Sequence, residues 1–270
     1  MNDGAEVRVG AATDVGLVRE VNEDSFLAQP PAFVVADGMG GHDGGDIASR
    51  IVVEEFARIV DEDYDALRGA EAVTEALDRC QRRLDEYGDT HRGSDGGRWR
   101  GGTTAVVALV VEGNWLLANL GDSRIYAVGG GELVRVSVDH SLVQELVDAG
   151  EITEEEAAVH PERHIVTRAL GGPDEVEPDF FVLPLVEFER VLLCSDGITG
   201  MVDDRDIERL LVESTDPSDA ADRLVAAALA AGGIDNATAV VVDVVGLVSD
   251  RTDGSSPEQE SVPETPGALP

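Results

Sequence analysis

The sequence contains no lysine: all 20 of its basic residues are arginine, against 55 aspartates and glutamates, and the formal net charge is −35. So acidic a surface repels polyanions, which excludes nucleic acid as a partner and disfavours binding to a membrane. The missing lysine also excludes a Walker-type phosphate loop, because that loop uses a lysine to contact the phosphates.

Long apolar runs are missing as well. No stretch of about 18 apolar residues occurs, so we expect no transmembrane helix. Residues 1–6 lack the basic and apolar regions of a signal peptide. These absences predict a cytoplasmic protein, which we also expect to be a monomer. The chain has 2 cysteines, Cys80 and Cys194, which we expect to be free, buried thiols.

The excess of acid also carries information about the host. In ordinary buffer, repulsion between like charges weakens the compact state. At molar salt the Debye length falls to about 3 Å, which screens this repulsion. We therefore hypothesise a halophilic host, with an acidic protein from an ordinary host as the alternative. An unfolding midpoint that stays flat or falls between low and molar KCl would contradict the halophile hypothesis.

The spacing of apolar residues predicts groups of strands alternating with paired helices. Turns as short as those at 113–114 and 129–131 cannot form parallel crossovers, so residues 103–136 are predicted to be an antiparallel meander. The element order predicts an α+β fold, a four-layer α-β-β-α sandwich of two antiparallel sheets packed face to face with helix pairs outside. Strands are predicted at 6–12, 25–29, 33–36, 103–111, 115–120, 124–128, 132–136, 179–185, 190–194 and 236–248, and helices at 46–60, 69–87, 141–149, 151–159, 203–213 and 217–231.

These elements form one predicted domain, residues 1–248. Residues 249–270 are rich in Ser, Pro, Glu and Thr without periodicity, and we expect a disordered acidic tail. Thr153 with Glu156 is typical of a capping box. Asp216 followed by Pro217 is typical of a helix N-terminus.

Three carboxylates stand where predicted strands begin or end. Asp37 follows the apolar run 33–36, Asp196 follows the run 191–194, and Asp235 precedes the last strand. A single Asp-Gly after a strand usually marks only a turn. Because the pattern recurs, we expect the three acids to converge at one edge of the sheets, where an all-oxygen cluster suits a hard divalent cation.

Other acids at loop–strand boundaries extend this set: Glu23, Asp24 and Asp122. Gly38 and Gly197 follow two of the acids, and we expect them to leave room for a metal near the backbone. Nucleophile motifs are absent. Ser123 lacks the second glycine of a nucleophile elbow, and Cys194 precedes an acid where thiolate chemistry needs cations.

Eight segments, in order, resemble the PPM (type-2C) metal-dependent Ser/Thr protein phosphatases, in the form found in bacterial members. The resemblance covers about residues 7–246. The segments are DVGLVREVNED at 14–24, VADGMGGH at 35–42, GTT at 102–104, ANLGDSR at 118–124, DHS at 139–141, TRALG at 167–171, LCSDG at 193–197 and DNAT at 235–238.

The resemblance implies two Mn²⁺ or Mg²⁺ ions as cofactors. Asp37 would bridge both ions and count as catalytic, and the Gly38 carbonyl would bind one of them. Asp196 and Asp235 would ligate the other. Asp122, with Asp196, would form a weaker third metal site.

It also implies a set of supporting residues. Arg19 would be catalytic by gripping the phosphate. Glu23 and Asp24 would hold metal-bound waters, with Asn236 in the same outer shell. The general acid is left unassigned, because the position after Asp-Gly that holds histidine in animal members is Met39 here, and His42 could as well bond loop backbone.

The implied activity is hydrolysis of phosphoserine and phosphothreonine in proteins, within a signalling pathway that includes a cognate Ser/Thr kinase. A hydroxide bridging two metals would attack phosphorus in line, which agrees with the missing nucleophile motifs. The segment 140–168 resembles the mobile flap of the family. A non-catalytic relative that binds phosphoproteins as a scaffold is the alternative, and hydrolysis of p-nitrophenyl phosphate in Mn²⁺ separates the two.

Overall fold

A computed structural model provides the structure of the chain. Within it, Cys80 and Cys194 are buried and free, as predicted. No helix in the described part of the chain is long and apolar enough to cross a bilayer. The predicted tail, 249–270, lies outside the described residues. Those residues are 6–40, 44–60, 62–91, 99, 101–173 and 176–246.

Two five-stranded antiparallel sheets form the centre of the fold. One has the strand order β1-β12-β11-β8-β9 and the other the order β10-β7-β6-β3-β2, while β4 and β5 pair separately. The strands are β1 Glu6–Asp14, β2 Ser25–Gln29, β3 Ala32–Ala36, β4 Gly38–Met39, β5 Gly102–Thr103, β6 Ala105–Val111, β7 Asn114–Leu120, β8 Arg124–Gly129, β9 Glu132–Arg135, β10 Asp179–Pro184, β11 Arg190–Cys194 and β12 Ala237–Val245.

Helices cover the outer faces, and their caps match the sequence signals. Thr153 forms a capping box with Glu156. Asp216 caps the last helix, which has Pro217 in its first turn. The predicted helix 46–60 ends earlier, at Phe56, and the predicted helix 69–87 is longer at both ends. The helices are α1 Gly45–Phe56, α2 Ala66–Thr90, α3 Leu142–Asp148, α4 Glu154–Ala158, α5 Asp196–Thr199, α6 Asp204–Glu213 and α7 Pro217–Ala230.

The hydrophobic core has three layers. The middle layer lies between the sheets and includes Phe33, Trp115 and Val240. A second layer lies between α1, α2 and one sheet, and a third lies beneath α6 and α7 on the other sheet. Each sheet thus buries both faces, which explains why β6 and β11 are buried along their whole length. The predicted four-layer sandwich is confirmed.

The predicted antiparallel meander over 103–136 is wrong in one respect. β6 pairs with β7, and β8 pairs with β9, but β7 and β8 belong to different sheets. The chain crosses between the sheets at 121–123, where Gly121 has a φ of 114°. That angle is in the left-handed region that favours glycine. The crossing places Asp122 at the end of the sandwich, between the two sheets.

Strand pairing brings the chain's candidate acids to this same end. β6 begins beside the end of β7, with Ala105 opposite Leu120. β12 begins beside the end of β11, with Ala239 opposite Cys194. The residues just beyond these strand ends, which include Asp122, Asp196 and Asp235, therefore meet at one edge.

Candidate active site

A cleft of about 380 Å³ opens at this end of the sandwich. Of the six boundary acids singled out in the sequence, five line it, together with Arg19. The sixth, Asp24, is buried and 9% exposed. The lining residues are Arg19, Glu23, Asp37, Gly38, Met39, Gly40, Thr104, Asp122, His164, Val166, Asp196, Ile234 and Asp235.

The backbone of Asp37 is held on both sides by two threonines. Its N–H donates to Thr104 Oγ1 over 3.0 Å. Its carbonyl accepts from Thr103 Oγ1 over 2.9 Å and from the Thr104 N–H over 3.0 Å. Thr104 Oγ1 also lies 2.8 Å from Ser123 Oγ, next to Asp122. The backbone polar groups of Asp37 are therefore satisfied by protein, and its carboxylate remains for the cleft.

Gly38 and Gly197 are required by close backbone packing. A Cβ at Gly38 would overlap the carbonyl oxygens of Gly45 and Glu23, and one at Gly197 would overlap the carbonyl of Asn236. The atoms that exclude a side chain at both positions are those of the protein backbone, which hold the loops around the cleft together. That these glycines also leave room for a metal stays a prediction.

Asp24 lies behind the cleft with its two oxygens in different surroundings. Oδ2 accepts hydrogen bonds of 2.7 Å from Ser195 Oγ and Thr238 Oγ1. Oδ1 is buried and has no hydrogen-bond partner in the described part of the chain. Burial raises the pKa of Asp24 to about 7, although the two hydroxyl hydrogen bonds oppose that rise. An unpartnered buried acceptor is costly, so Oδ1 suits a bound water or cation.

Arg19 forms an ion pair with Asp235 across 216 residues of sequence, with 2.7 Å between Nη2 and Oδ2. The guanidinium side chain is 47% exposed. The hydrogen bond to Asp235 raises the pKa of Arg19. The residue predicted to grip the phosphate and a predicted metal ligand thus lie in contact at the cleft.

Asn236 ties the loop that carries Arg19 to the start of β12. Its side-chain Nδ2 donates to the carbonyls of Val15 and Val21 over 2.9 and 3.0 Å. Its Oδ1 accepts from the Glu23 N–H over 2.8 Å. One amide side chain therefore fixes both ends of the loop 15–23 beside the cleft.

His140 joins Gly121, the residue before Asp122, to the segment 140–168. Its Nδ1 accepts from the Gly121 N–H over 3.1 Å, so Nε2 carries the proton toward Asp179 Oδ2, 3.1 Å away. Its carbonyl accepts from the Thr167 N–H over 2.8 Å, which closes the base of the segment. Burial lowers the pKa of His140 and favours this neutral form.

The carboxylates at the cleft raise one another's pKa values. Burial raises the pKa of Asp37 well above its ordinary value, and the charges of Asp24 and Asp196 raise it further. Burial and then the charge of Asp196 raise the pKa of Asp122 to about 7. Burial, and then the charge of Asp235, likewise raise the pKa of Asp196. Below, three of these aspartates that line the cleft (37, 122 and 196), together with Asp24 directly behind it, are called the cleft carboxylates.

The chemistry of this donor set fits Mn²⁺ or Mg²⁺. All the donors are oxygens, which such ions prefer. Among the described residues, Arg19 is the one arginine that lines the cleft, where five carboxylates gather. Within the described ranges, no group of three or more His, Cys, Asp or Glu side chains already lies close enough together to hold an ion by itself.

Sequence reasoning missed several residues of this neighbourhood. Ser195 and Thr238, which bond Asp24, lie inside the segments LCSDG and DNAT but received no role. A hydroxyl residue next to a candidate ligand is the signal that could have found them. Thr104 and His164 line the cleft and were also unassigned. His42 lies outside the described residues.

Comparison with known proteins agrees with this geometry. The family model described as Protein phosphatase 2C matches residues 18–231. The serine/threonine phosphatase stp of Listeria welshimeri is 36% identical over 86% of this chain and 93% of its own length. The serine/threonine protein phosphatase PstP of Mycobacterium tuberculosis is 40% identical over 88% of this chain. The matched region covers 45% of the length of PstP.

A solved structure shows the same fold. The catalytic domain of the serine/threonine protein phosphatase PstP, in complex with 2 manganese ions, superposes with a TM-score of 0.79 and 36% identity, covering 89% of this chain and 99% of that one. The chain therefore belongs to the protein phosphatase 2C family, and its relatives are bacterial phosphatases.

Proposed function

We propose that this chain removes phosphate from phosphoserine and phosphothreonine in proteins, with two Mn²⁺ or Mg²⁺ ions bound in the cleft. The observation that carries the proposal is the group of cleft carboxylates, gathered at one end of the sandwich with a single arginine lining the cleft among the described residues. Family membership supports it, since relatives named as Ser/Thr phosphatases cover most of the chain.

Each metal ligand has a proposed place. Asp37 would bridge both ions and the Gly38 carbonyl would bind one, while Asp196 and Asp235 would bind the other. When bound, the ions would lower the pKa of water so that hydroxide attacks phosphorus in line, and would offset charge on the phosphoryl oxygens. Asp122, with Asp196, is proposed to form a weaker third site.

Arg19 is proposed to bind the phosphoryl oxygens. Its bond to Asp235 uses Nη2, and a guanidinium has five N–H donors in a planar fork. Arg19 can therefore hold Asp235 and contact a phosphate oxygen at the same time. A charge-assisted hydrogen bond of this kind orients the phosphate and stabilises negative charge as it moves to the leaving oxygen.

The supporting residues would hold the ligands and their waters. Glu23 lines the cleft, and Asp24 has an unpartnered oxygen in the described chain. We propose that both accept hydrogen bonds from waters on the ions. Asn236 is proposed to act by fixing the loop that carries Arg19, because its amide bonds that loop at both ends. A carboxylate and amide shell of this kind orients metal ligands.

Residues 140–168 are proposed to act as the flap of a catalytic domain that spans residues 1–248. This segment leaves the sandwich at His140, and its two ends meet at a bridge between Ser141 and Val166. His164 and Val166 line the cleft, so the segment would shape access for a phosphorylated protein. The opposing activity would be a Ser/Thr kinase of the same host.

The test compares hydrolysis of p-nitrophenyl phosphate and of a phosphothreonine peptide in Mn²⁺. We expect both activities to disappear with a chelator and to fall by about 1000-fold or more in Asp37→Asn, because the bridging ligand is lost. Asp78→Asn, on the exposed face of α2, is the matched control and should keep full activity.

Two results would contradict the proposal. One is equal activity in Asp37→Asn and wild type. The other is binding of the phosphopeptide without any hydrolysis by the wild-type protein in Mn²⁺ or Mg²⁺ at any salt concentration, which would favour the scaffold alternative.

A further inference from the structure

Four large apolar side chains are exposed on the two loops beside Arg19. Leu17 is 70% exposed, Val18 65%, Val21 50% and Ile234 47%. The first three flank Arg19 in sequence, and Ile234 lines the cleft next to Asp235. We call these four residues the apolar rim. On so acidic a chain, apolar side chains gathered around the candidate phosphate-binding arginine call for a binding role.

The two loops of the rim are fixed to each other. The Leu17 N–H donates to the Gly233 carbonyl over 2.7 Å. Gly16 has a φ of 81°, and its Cα packs so closely on the carbonyls of Gly233 and Asp235 that a Cβ would overlap them. With the bonds of Arg19 and Asn236 described above, the rim is preorganised, so little conformational entropy is lost when it binds.

A second groove adjoins the cleft beneath the flap. A groove of about 420 Å³ beneath the flap shares Asp122, His164 and Asp196 with the cleft. Its walls include charged side chains, among them Asp139 bonded by Arg124 and Arg135. The same groove is also lined by Val143, Val147 and Ala157, so a substrate lying across the cleft would meet both charged and apolar side chains on the flap side, and the apolar rim beside Arg19.

We propose that the apolar rim docks an apolar side chain of the protein substrate, within one to three residues of the phosphorylated serine or threonine. This inference rests on the proposed function, because it takes Arg19 as the phosphate ligand. An extended chain advances about 3.3 Å per residue, so a side chain one to three residues from the phosphorylated residue lies roughly 3–10 Å from it along the chain. Leu17, Val18 and Val21 lie within two sequence positions of Arg19. Substrates with aspartate or asparagine there bury no apolar surface.

The test uses pairs of phosphothreonine peptides that differ only in having leucine or asparagine at the flanking positions. For the wild-type protein in Mn²⁺ we expect the leucine peptide to have about a tenfold higher kcat/KM, mainly through KM, from burial of one leucine side chain. p-Nitrophenyl phosphate, which has no flanking residues, reports on the cleft alone.

The variant Leu17→Asn/Val18→Thr should bring the leucine-to-asparagine ratio close to one. This ratio cancels any general change in activity. The matched control is Leu67→Asn/Val186→Thr, which alters side chains that are 71% and 60% exposed elsewhere on the surface. The control should keep the tenfold ratio.

Three outcomes would overturn the inference. A wild-type protein that hydrolyses both peptides equally removes it while leaving the proposed function intact. A rim variant that keeps the tenfold ratio also removes it. A concentration-dependent dimer of the wild type that the rim variant abolishes, measured by sedimentation, would assign the rim to a second copy of the chain. By contrast, failure to hydrolyse p-nitrophenyl phosphate as well as the peptides would contradict the proposed function itself.

Discussion

Glu55 and the cleft carboxylates differ in what surrounds them. The Glu55 side chain lies between α1 and α2 and is 3% exposed. Arg58, Arg79 and Arg83 each place a nitrogen 2.9 Å from its oxygens. Burial alone raises the pKa of Glu55, but the hydrogen bonds from Arg79 and Arg83 outweigh it, so the pKa is lowered.

At the cleft, the pKa values shift in the opposite direction. Burial raises the pKa values of Asp24 and Asp122 to about 7, and neighbouring carboxylates add to the rise. The chain therefore places three arginines around Glu55, whereas Arg19 is the one arginine among the described residues that lines the cleft, and its bond is to Asp235. In a chain with 55 acidic residues, the raised pKa values of Asp24, Asp37, Asp122 and Asp196 set these acids apart from Glu55.

We expect the largest effect on stability from a change at Glu55, the acid that three arginines contact. Glu55→Gln leaves three arginines beside a neutral side chain, and we expect the free energy of unfolding to fall by about 3 kcal/mol. Urea unfolding at pH 7 measures this. Activity per folded molecule should stay at the wild-type value. A large loss of turnover in the folded variant would contradict the view that Glu55 supports only the fold.

Replacing arginine by lysine, once at the cleft and once beside Glu55, should separate effects on activity from effects on stability. Arg19→Lys replaces a planar fork with a point charge, and we expect kcat/KM for p-nitrophenyl phosphate to fall roughly 10- to 100-fold with little change in unfolding. Arg79→Lys should instead lower the unfolding free energy by about 1 kcal/mol and leave kcat/KM alone. Similar activity losses in both variants would contradict the distinction.

The two groups should also give opposite pH dependences in the metal-free protein. With a pKa near 7 in the fold, Asp122 binds its proton more tightly when folded, so its stabilising contribution is present at acid pH and is lost as pH rises through about 7. Glu55, with a lowered pKa, stabilises at neutral pH and loses that contribution as pH falls through its pKa.

Urea unfolding with a chelator present, between pH 4 and pH 8, tests this prediction. Asp122→Asn cannot titrate, so we expect it to be more stable than wild type at pH 8 by on the order of 1–2 kcal/mol, with the difference shrinking toward pH 4. An Asp122→Asn protein with the wild-type pH profile would show that the cleft carboxylates do not repel one another.

Much of the fold could be predicted because it depends on local patterns. The caps at Thr153 and Asp216, and the strand ends at Asp37 and Asp196, all follow from residues close in sequence. The crossing between sheets at 121–123 could not be predicted. A short link between strands looks like a hairpin turn unless the pairing of β8 with the distant strand β11, in which Val128 lies opposite Arg190, is known.

The gathering of the acids at one cleft could be predicted from the sequence, but the contacts between them could not. The acids at strand ends do converge, because antiparallel pairing places them at one edge. The bond from Arg19 to Asp235 and those from Ser195 and Thr238 to Asp24 join residues more than 170 positions apart. No local pattern reports such pairs. The halophile hypothesis stays a prediction for the KCl titration.

The central claim is that divalent ions offset the negative charge of the cleft carboxylates, as three arginines offset that of Glu55. Thermal unfolding in a Mn²⁺ titration tests this claim most directly. At 100 times the dissociation constant, one bound ion stabilises by about 2.7 kcal/mol, a rise of roughly 5–10 °C for a chain of this size. We expect that rise in wild type and in Glu55→Gln, and less than about 2 °C in Asp37→Asn. An equal rise in Asp37→Asn, or its loss in Glu55→Gln, would contradict the account.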